Sequence, residues 1–341
     1  MFNSLWISIG LFFVAAFVIA IAGSKMTKVA DRLADKTGLG EALVGAILLG
    51  GTTSLPGIVT SVTAAVNNYP ELAISNAIGG IAAQTAFLSI ADIVYRKANL
   101  EHAAASLANL TQGTLLITLL AIPLLAMAGP QVSIWAIHPA SLALIGAYLY
   151  GLHLVSKANE TPMWEPTQTD STSLDEPEED MGKRSGLMQL WLRFLFLAII
   201  VAIAGYVVAE SGVAISEETG ISQSVVGGIF TAVSTSLPEL VTSVAAVRQG
   251  ALTLAVSDII GGNSFDVLFV AFSDFAYRKG SIYHGLTNSQ TFVISLTILM
   301  TGILLLGLLR RQKYGLGKIG FESWLILILY VGGFSLLFAG V

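Results

Sequence analysis

The sequence predicts an all-α integral membrane protein: ten transmembrane helices forming two inverted five-helix repeats, with broken helices at the centre. Three observations carry that expectation. Apolar residues make up 54% of the 341 and charged residues only 11%, against roughly a quarter charged in an average soluble domain, and mean hydropathy is +0.77. Apolar stretches recur along the whole chain, each near the roughly 20 residues a helix needs to cross the hydrocarbon core, where backbone must pair internally. Finally, the chain matches itself: residues 19–97 laid on 201–279 without a gap, at a constant offset of 182, share 29 identities in 79 positions.

The first span, 4–24, has no basic residue before its apolar run and is followed by Lys25 and Lys28. That order is the reverse of a signal peptide, and the repeat supplies an internal counterpart, so the segment is read as a retained span. Spans at 39–66, 71–96, 110–128 and 134–156 complete a first unit, 1–156. Residues 157–187 follow, with Asp170, Asp175, Glu176, Glu178, Glu179 and Asp180 among Ser, Thr and Pro. Such a composition buries too little apolar surface to fold alone and predicts a disordered acidic linker, with calcium sensing by those acids as an alternative role. Spans at 188–210, 221–247, 251–277, 289–309 and 321–340 form the second unit, 188–341.

Lysine and arginine placement orients the chain. The side holding the segments after the odd-numbered spans carries fifteen of the 17 basic residues, and the other only Arg278 and Lys279. Both termini are therefore expected outside and the linker in the cytoplasm. An odd number of spans separates the copies, so the second enters the membrane the opposite way up. That is the plan of secondary transporters, whose sites lie near mid-membrane where the halves meet.

The most unusual shared phrase is "TSLPGIVTSV" at 53–62 and "TSLPELVTSV" at 235–244. Proline removes a backbone donor and clashes one turn back, so the second and seventh spans should kink there. Gly79-Gly80 and Gly261-Gly262 predict parallel interruptions in the third and eighth spans. Proline and glycine also serve as plain kinks and packing notches in membrane helices. Four at matching positions, each beside Ser, Thr or an acid, favour a site instead. Glu239 follows one kink and Asp266 lies four residues beyond Gly262; ionisable groups at that depth are costly and face a partner or a polar pathway. Carboxylates, hydroxyls and freed carbonyls make an all-oxygen shell suited to hard cations such as calcium or sodium, and the lack of Cys and of mid-span His disfavours soft metals. Asp258, whose counterpart is Asn76, is a lesser candidate, with polar pairing across the repeat interface as the alternative.

At "TSLPELVTSV" and "SDIIGGNSFD" the chain resembles the calcium/cation antiporter superfamily, the sodium/calcium exchangers and their prokaryotic relatives, and the resemblance covers both halves. It implies Glu239 and Asp266 as cation ligands, oxygen from Thr235 and Ser236, first-copy contributions from Thr53, Ser54 and Gln84, and lesser roles for Asn263 and Asn76. It also implies that the first and sixth spans, which both carry "AIAG", slide together over the rest. The first copy departs from the family pattern, because Gly57 stands where the acid is expected and Gly79 to Gln84 replace most of the second motif.

The implied function is a secondary active cation antiporter moving calcium or a related cation against sodium or protons by alternating access. The alternatives are a proton- or monovalent-cation exchanger with selectivity altered by Gly57, or a degenerate member that transports nothing. An intramembrane enzyme is disfavoured, since His102, His138, His153 and His284 fall near span ends or loops and leave Ser236 without a base. No cofactor and no nucleic-acid partner is expected; the cations are substrates, and the setting is a prokaryotic inner membrane.

Overall fold

The computed structural model describes residues 4–37, 50–95, 97–160, 186–315 and 319–340, with isolated positions 162, 165, 167 and 317. Among them the chain is helical, with one isolated bridge between Ile134 and Ile137. Eight helices are long and apolar enough to cross a membrane, and a bent pair makes up to nine. The expected second span is described only from Gly50 onward; residues 39–49, like most of the expected linker, lie outside the described residues.

The helices are α1 (Leu5–Thr37), α2 (Leu55–Val66), α3 (Pro70–Val94), the short α4 (Leu100–Ala103), α5 (Leu107–Ala128), α6 (Pro139–Glu160) and α7 (Leu187–Thr219). They continue as α8 (Gln223–Thr235), α9 (Leu237–Gln249), α10 (Leu252–Asp266), α11 (Leu268–Ala276), α12 (Asn288–Arg310) and α13 (Phe321–Phe338). Most match the expected spans closely. However, α1 and α7 run for 33 residues each, about 50 Å at 1.5 Å per residue, well past the apolar stretches at 4–24 and 188–210. Helix formers such as Met26, Ala30, Leu33 and Glu218 continue them, and α7 stops where Gly220 turns left-handed at φ 74° and donates to the Ser216 carbonyl.

The proline phrase behaves as expected. The helix at Gly50 to Thr53 turns at Ser54 before α2 begins, and α8 meets α9 at a 45° bend centred on Ser236. The glycine pairs do not. α3 runs unbroken through Gly79 and Gly80, and α10 runs through Gly261 and Gly262 to its end at Asp266. The expected interruptions are therefore corrected to packing notches: a Cβ at Gly79 would lie 2.5 Å from the Gly228 carbonyl oxygen, and one at Gly261 2.6 Å from Gln112 Nε2. Intrahelical hydrogen bonding tolerates glycine when a neighbour fills the notch.

Burial ranks the helices. The apolar windows of α3 and of α10 with α11 are 83% and 78% buried, against 33% and 28% for α1 and α7. The phrase-bearing and glycine-bearing segments thus form the centre, and α1 and α7 lie outside it. Those two pack on each other through clusters of their own, Phe12, Ala15 and Ile19 with Ala204 and Val208, and Ala22 and Met26 with Val201. They meet the centre at its kinks: a Cβ at Gly23 would strike the Pro238 ring at 2.5 Å, and one at Gly205 the Pro56 carbonyl at 2.8 Å. Gly23 and Gly205 are counterparts at the repeat offset, as are Pro56 and Pro238, so each helix of the pair seats on the kink from the other half.

Candidate cation site

The two helix breaks converge on α3 and on the C-terminal end of α10. Breaking a helix at Ser54 and Ser236 frees both serine hydroxyls from intrahelical bonding, and both turn to the facing half. Ser54 Oγ donates to Asp266 Oδ1. Gln84 Nε2 donates to Asp266 Oδ2 at 2.7 Å and to Ser236 Oγ at 3.2 Å. Gln84 and Asp266 are themselves counterparts at the repeat offset, as are Ser54 and Ser236. The contact Ser54 to Asp266 and the contact Gln84 to Ser236 are therefore the same contact made once from each half.

Every member is buried: Thr53, Ser54, Gln84, Thr235, Ser236, Glu239, Asn263 and Asp266 are at most 4% exposed. Glu239 occupies the first turn of α9, where the positive end of the helix dipole favours a carboxylate, and it lies close enough to Asp266 for the two charges to interact. Its Oε2 has no hydrogen-bond partner, nor do Gln84 Oε1 and Asn263 Oδ1. A buried acceptor without a donor costs about 1–3 kcal/mol, a cost that a bound cation removes. Among the described residues no three His, Cys, Asp or Glu side chains group to hold a metal ion. The cluster brings two carboxylates, Glu239 and Asp266, together with neutral hydroxyl and amide oxygens.

The remaining sequence candidates divide. Thr53 donates to the Gly50 carbonyl at 3.1 Å and Thr235 to the Thr231 carbonyl at 3.0 Å, so their hydroxyl protons serve their own helices. Asn263 donates to Thr85 Oγ1 at 3.2 Å. Asn76 ties three helices together, donating to the Gly57 carbonyl at 3.3 Å and Ser61 Oγ at 2.9 Å and accepting from Thr231 Oγ1 at 2.7 Å. Asp258 is half-buried and faces the charges of Asp31 and Glu239.

Three features had no sequence signal. Phe269 on α11 fills the space beside Gly57, where a Cβ would lie 2.6 Å from its Cε2, so a ring stands against this glycine. Tyr148 of α6 stacks edge-on with Phe265 at 5.9 Å and stands near Asp266. A π-helical turn at Val226–Thr231 lets Gly227 and Gly228 press on α3, where a Cβ at Gly227 would lie 2.6 Å from the Leu72 carbonyl.

Comparison with known proteins gives concordant results. The family model described as sodium/calcium exchanger protein matches residues 7–156 and 188–339. The chain is 26% identical to the putative antiporter CaxA of Alkalimonas amylolytica over 314 residues, covering 91% of this chain and 92% of that one. It is 25% identical to the inner membrane protein YrbG of Escherichia coli (strain K12) over 270 residues, 76% of this chain and 77% of that one. Among solved structures, the H+/Ca2+ exchanger CAX superposes with a TM-score of 0.69 at 13% identity, covering 97% of this chain and 82% of that one. The sodium-calcium exchanger NCX_Mj superposes at 0.59 and 19% identity, covering 97% and 99%. At those identities the superpositions establish the shared fold.

Proposed function

The chain belongs to the sodium/calcium exchanger protein family, and from that premise we propose that it moves calcium or a related cation against sodium or protons at the site centred on Glu239 and Asp266. The observation that carries this reading is the crossed pair of contacts, Ser54 to Asp266 and Gln84 to Ser236, buried between two broken helices with unpartnered oxygens beside them. Glu239 and Asp266 supply the negative charge, and Ser54, Ser236, Gln84, Thr53, Thr235 and Asn263 supply neutral oxygens. Asn76 has a bracing role in this scheme, and Asp258 lies on an approach to the site.

The two halves act as inverted repeats. Support comes from the repeat offset that relates the partners on both sides of each crossed contact, and from the seating of Gly23 on Pro238 and Gly205 on Pro56. Alternating access is a slide of α1 with α7 across those seats, exposing the site first to one side and then to the other. Both termini lie outside and residues 157–187 face the cytoplasm of a prokaryotic cell membrane.

A second reading concerns selectivity. With Gly57 packed against Phe269 where the family pattern expects an acid, the site lacks one carboxylate of that pattern, so coupling to protons or to fewer sodium ions is favoured. Isotope flux into proteoliposomes tests both readings. Sodium- or proton-driven calcium uptake that disappears in Asp266→Asn supports the first; uptake driven by a pH gradient without sodium supports the second. No cation flux under any gradient would overturn both.

A further inference from the structure

Eight residues beyond Gln84 and Asp266, about two helical turns, two aspartates related by the repeat offset tie matching knots. Asp92, near the end of α3, accepts from the Leu100 N–H at 2.8 Å and the Gly320 N–H at 3.0 Å. Asp274, on α11, accepts from the Ile282 N–H and the His138 N–H, each at 2.8 Å, and from Ser281 and Ser141 hydroxyls at 3.1 and 2.7 Å. The same offset relates Leu100 to Ile282 and His138 to Gly320. Each aspartate therefore joins a loop of its own half to the start of the last span of the other.

The surroundings of the two knots differ. Beside Asp274 stand Tyr283, His138 and His284. At the matching positions beside Asp92 the chain carries Glu101 in place of Tyr283 and Glu322 in place of Ala140. Three carboxyls thus gather out of solvent, with Asp92, Glu101 and Glu322 at 0%, 2% and 1% exposure. The Glu101 and Glu322 carboxyls lie close enough for their charges to act on each other, and Oε2 of each is buried with no hydrogen-bond partner. Neighbouring carboxylates out of water repel each other, and ionised ones have no hydrogen to donate, so a proton on the pair relieves the repulsion and supplies the donor that the orphaned oxygens lack. The cradle is shaped for it: a Cβ at Gly307 would lie 2.5 Å from Glu322 Cγ, and one at Gly320 would overlap the Glu322 carboxyl.

The other polar groups facing the pair come from several segments. Ser323 Oγ stands 3.5 Å from Glu101 Oε1. Arg310 of α12, stacked over the Phe321 ring at 5.0 Å, acts on Glu322 from outside. His102 Nδ1 meets the Arg311 carbonyl at 2.6 Å, and Arg311 Nη2 donates to the His102 carbonyl at 3.2 Å, so both hold the loop. We propose that Glu101 and Glu322 form a buried proton-binding site, separate from the cation site, and that loss of the shared proton loosens the joint among α3, α4 and α13.

Burial first, and then the charges of Asp92 and Glu322, hold the Glu101 carboxyl well above its usual range. The native chain therefore keeps a proton that the unfolded chain releases, and stability falls as pH rises from the ordinary glutamate range toward the raised value. Glu101→Gln and Glu322→Gln mimic the protonated form and remove that part of the slope. Thermal unfolding of the full chain in detergent, measured across pH, should give wild type and Glu101→Gln nearly equal midpoints at acid pH, and a higher midpoint for the variant at alkaline pH. Infrared spectra near neutral pH should show a protonated-carboxyl band that Glu101→Gln loses and Asp274→Asn keeps. Parallel midpoint curves, or a band unchanged in Glu101→Gln, would overturn the proposal. If Glu101→Gln does not fold, Glu322→Gln is read in the same way, and the pH titration of the wild-type band needs no variant. Neither readout requires transport, so failure here is distinguishable from failure of the cation site.

Discussion

Asp266 accepts from Ser54 and Gln84 at once, one donor to each oxygen, and that double acceptance makes it the hinge of the site. An amide at this position turns one acceptor into a donor facing another donor. Asp266→Asn is expected to cut flux by on the order of tenfold or more, because ligand charge count sets affinity, and to lower stability by about 1–3 kcal/mol. Glu239→Gln should lose comparable flux with a smaller stability change, since Glu239 Oε2 has no donor to lose; proteoliposome uptake alongside thermal unfolding separates the two effects. Gly57→Glu alone must displace the Phe269 ring, an overpacking cost of about 1–3 kcal/mol. Combined with Phe269→Ala it should raise calcium affinity above wild type in a direct binding titration, and unchanged affinity would remove the missing acid from the account of selectivity. Both carboxylates were legible in the sequence because acids are rare in apolar spans. Phe269 was not, because an aromatic residue in such a span looks like any other lipid-facing or core side chain.

At the scale of elements, the prolines read correctly and the glycines did not. A proline changes covalent options wherever it sits, so Ser54 and Ser236 mark turns without reference to any neighbour. A glycine only permits, and at Gly79 the permission is used by the Gly228 backbone instead of by a break. The same permission at Gly23 and Gly205 seats α1 and α7 on the two kinks, which yields a prediction about motion. Gly205→Leu puts side-chain atoms where the Pro56 carbonyl lies, and transport turnover should fall while equilibrium cation affinity changes little. Measuring uptake rate and binding on the same preparation tests this, and an equal loss in both would mean that the seat belongs to the site instead of to the slide.

For the whole molecule, the crossed contacts at the centre, at the kinks and at the two aspartate knots all share one spacing, and together they support the inverted arrangement. The expected orientation is open to a direct test because the chain contains no cysteine. A single cysteine introduced within 157–187 should react with a membrane-impermeant thiol reagent only from the cytoplasmic face; labelling from outside in intact cells would reverse the assigned topology. Asp274→Asn weakens acceptance of two backbone N–H groups and two hydroxyls, so it should destabilise the fold by about 1–3 kcal/mol, with its effect on cation affinity small by comparison.

The amino-acid order alone determined that the chain is a membrane helix protein, that it is written twice, that two serine-leucine-proline turns recur, and that Glu239 and Asp266 stand in the repeated motifs. Those properties are local: hydropathy, covalent geometry and residue identity need no partner to be read. Only tertiary structure decided that Gln84 and Ser54 grip the same carboxylate, that Phe269 fills the space beside Gly57, and that Glu101 and Glu322 meet from opposite halves of the chain. Which groups become neighbours when helices from two halves cross is set by packing, and packing is a property of the assembled whole.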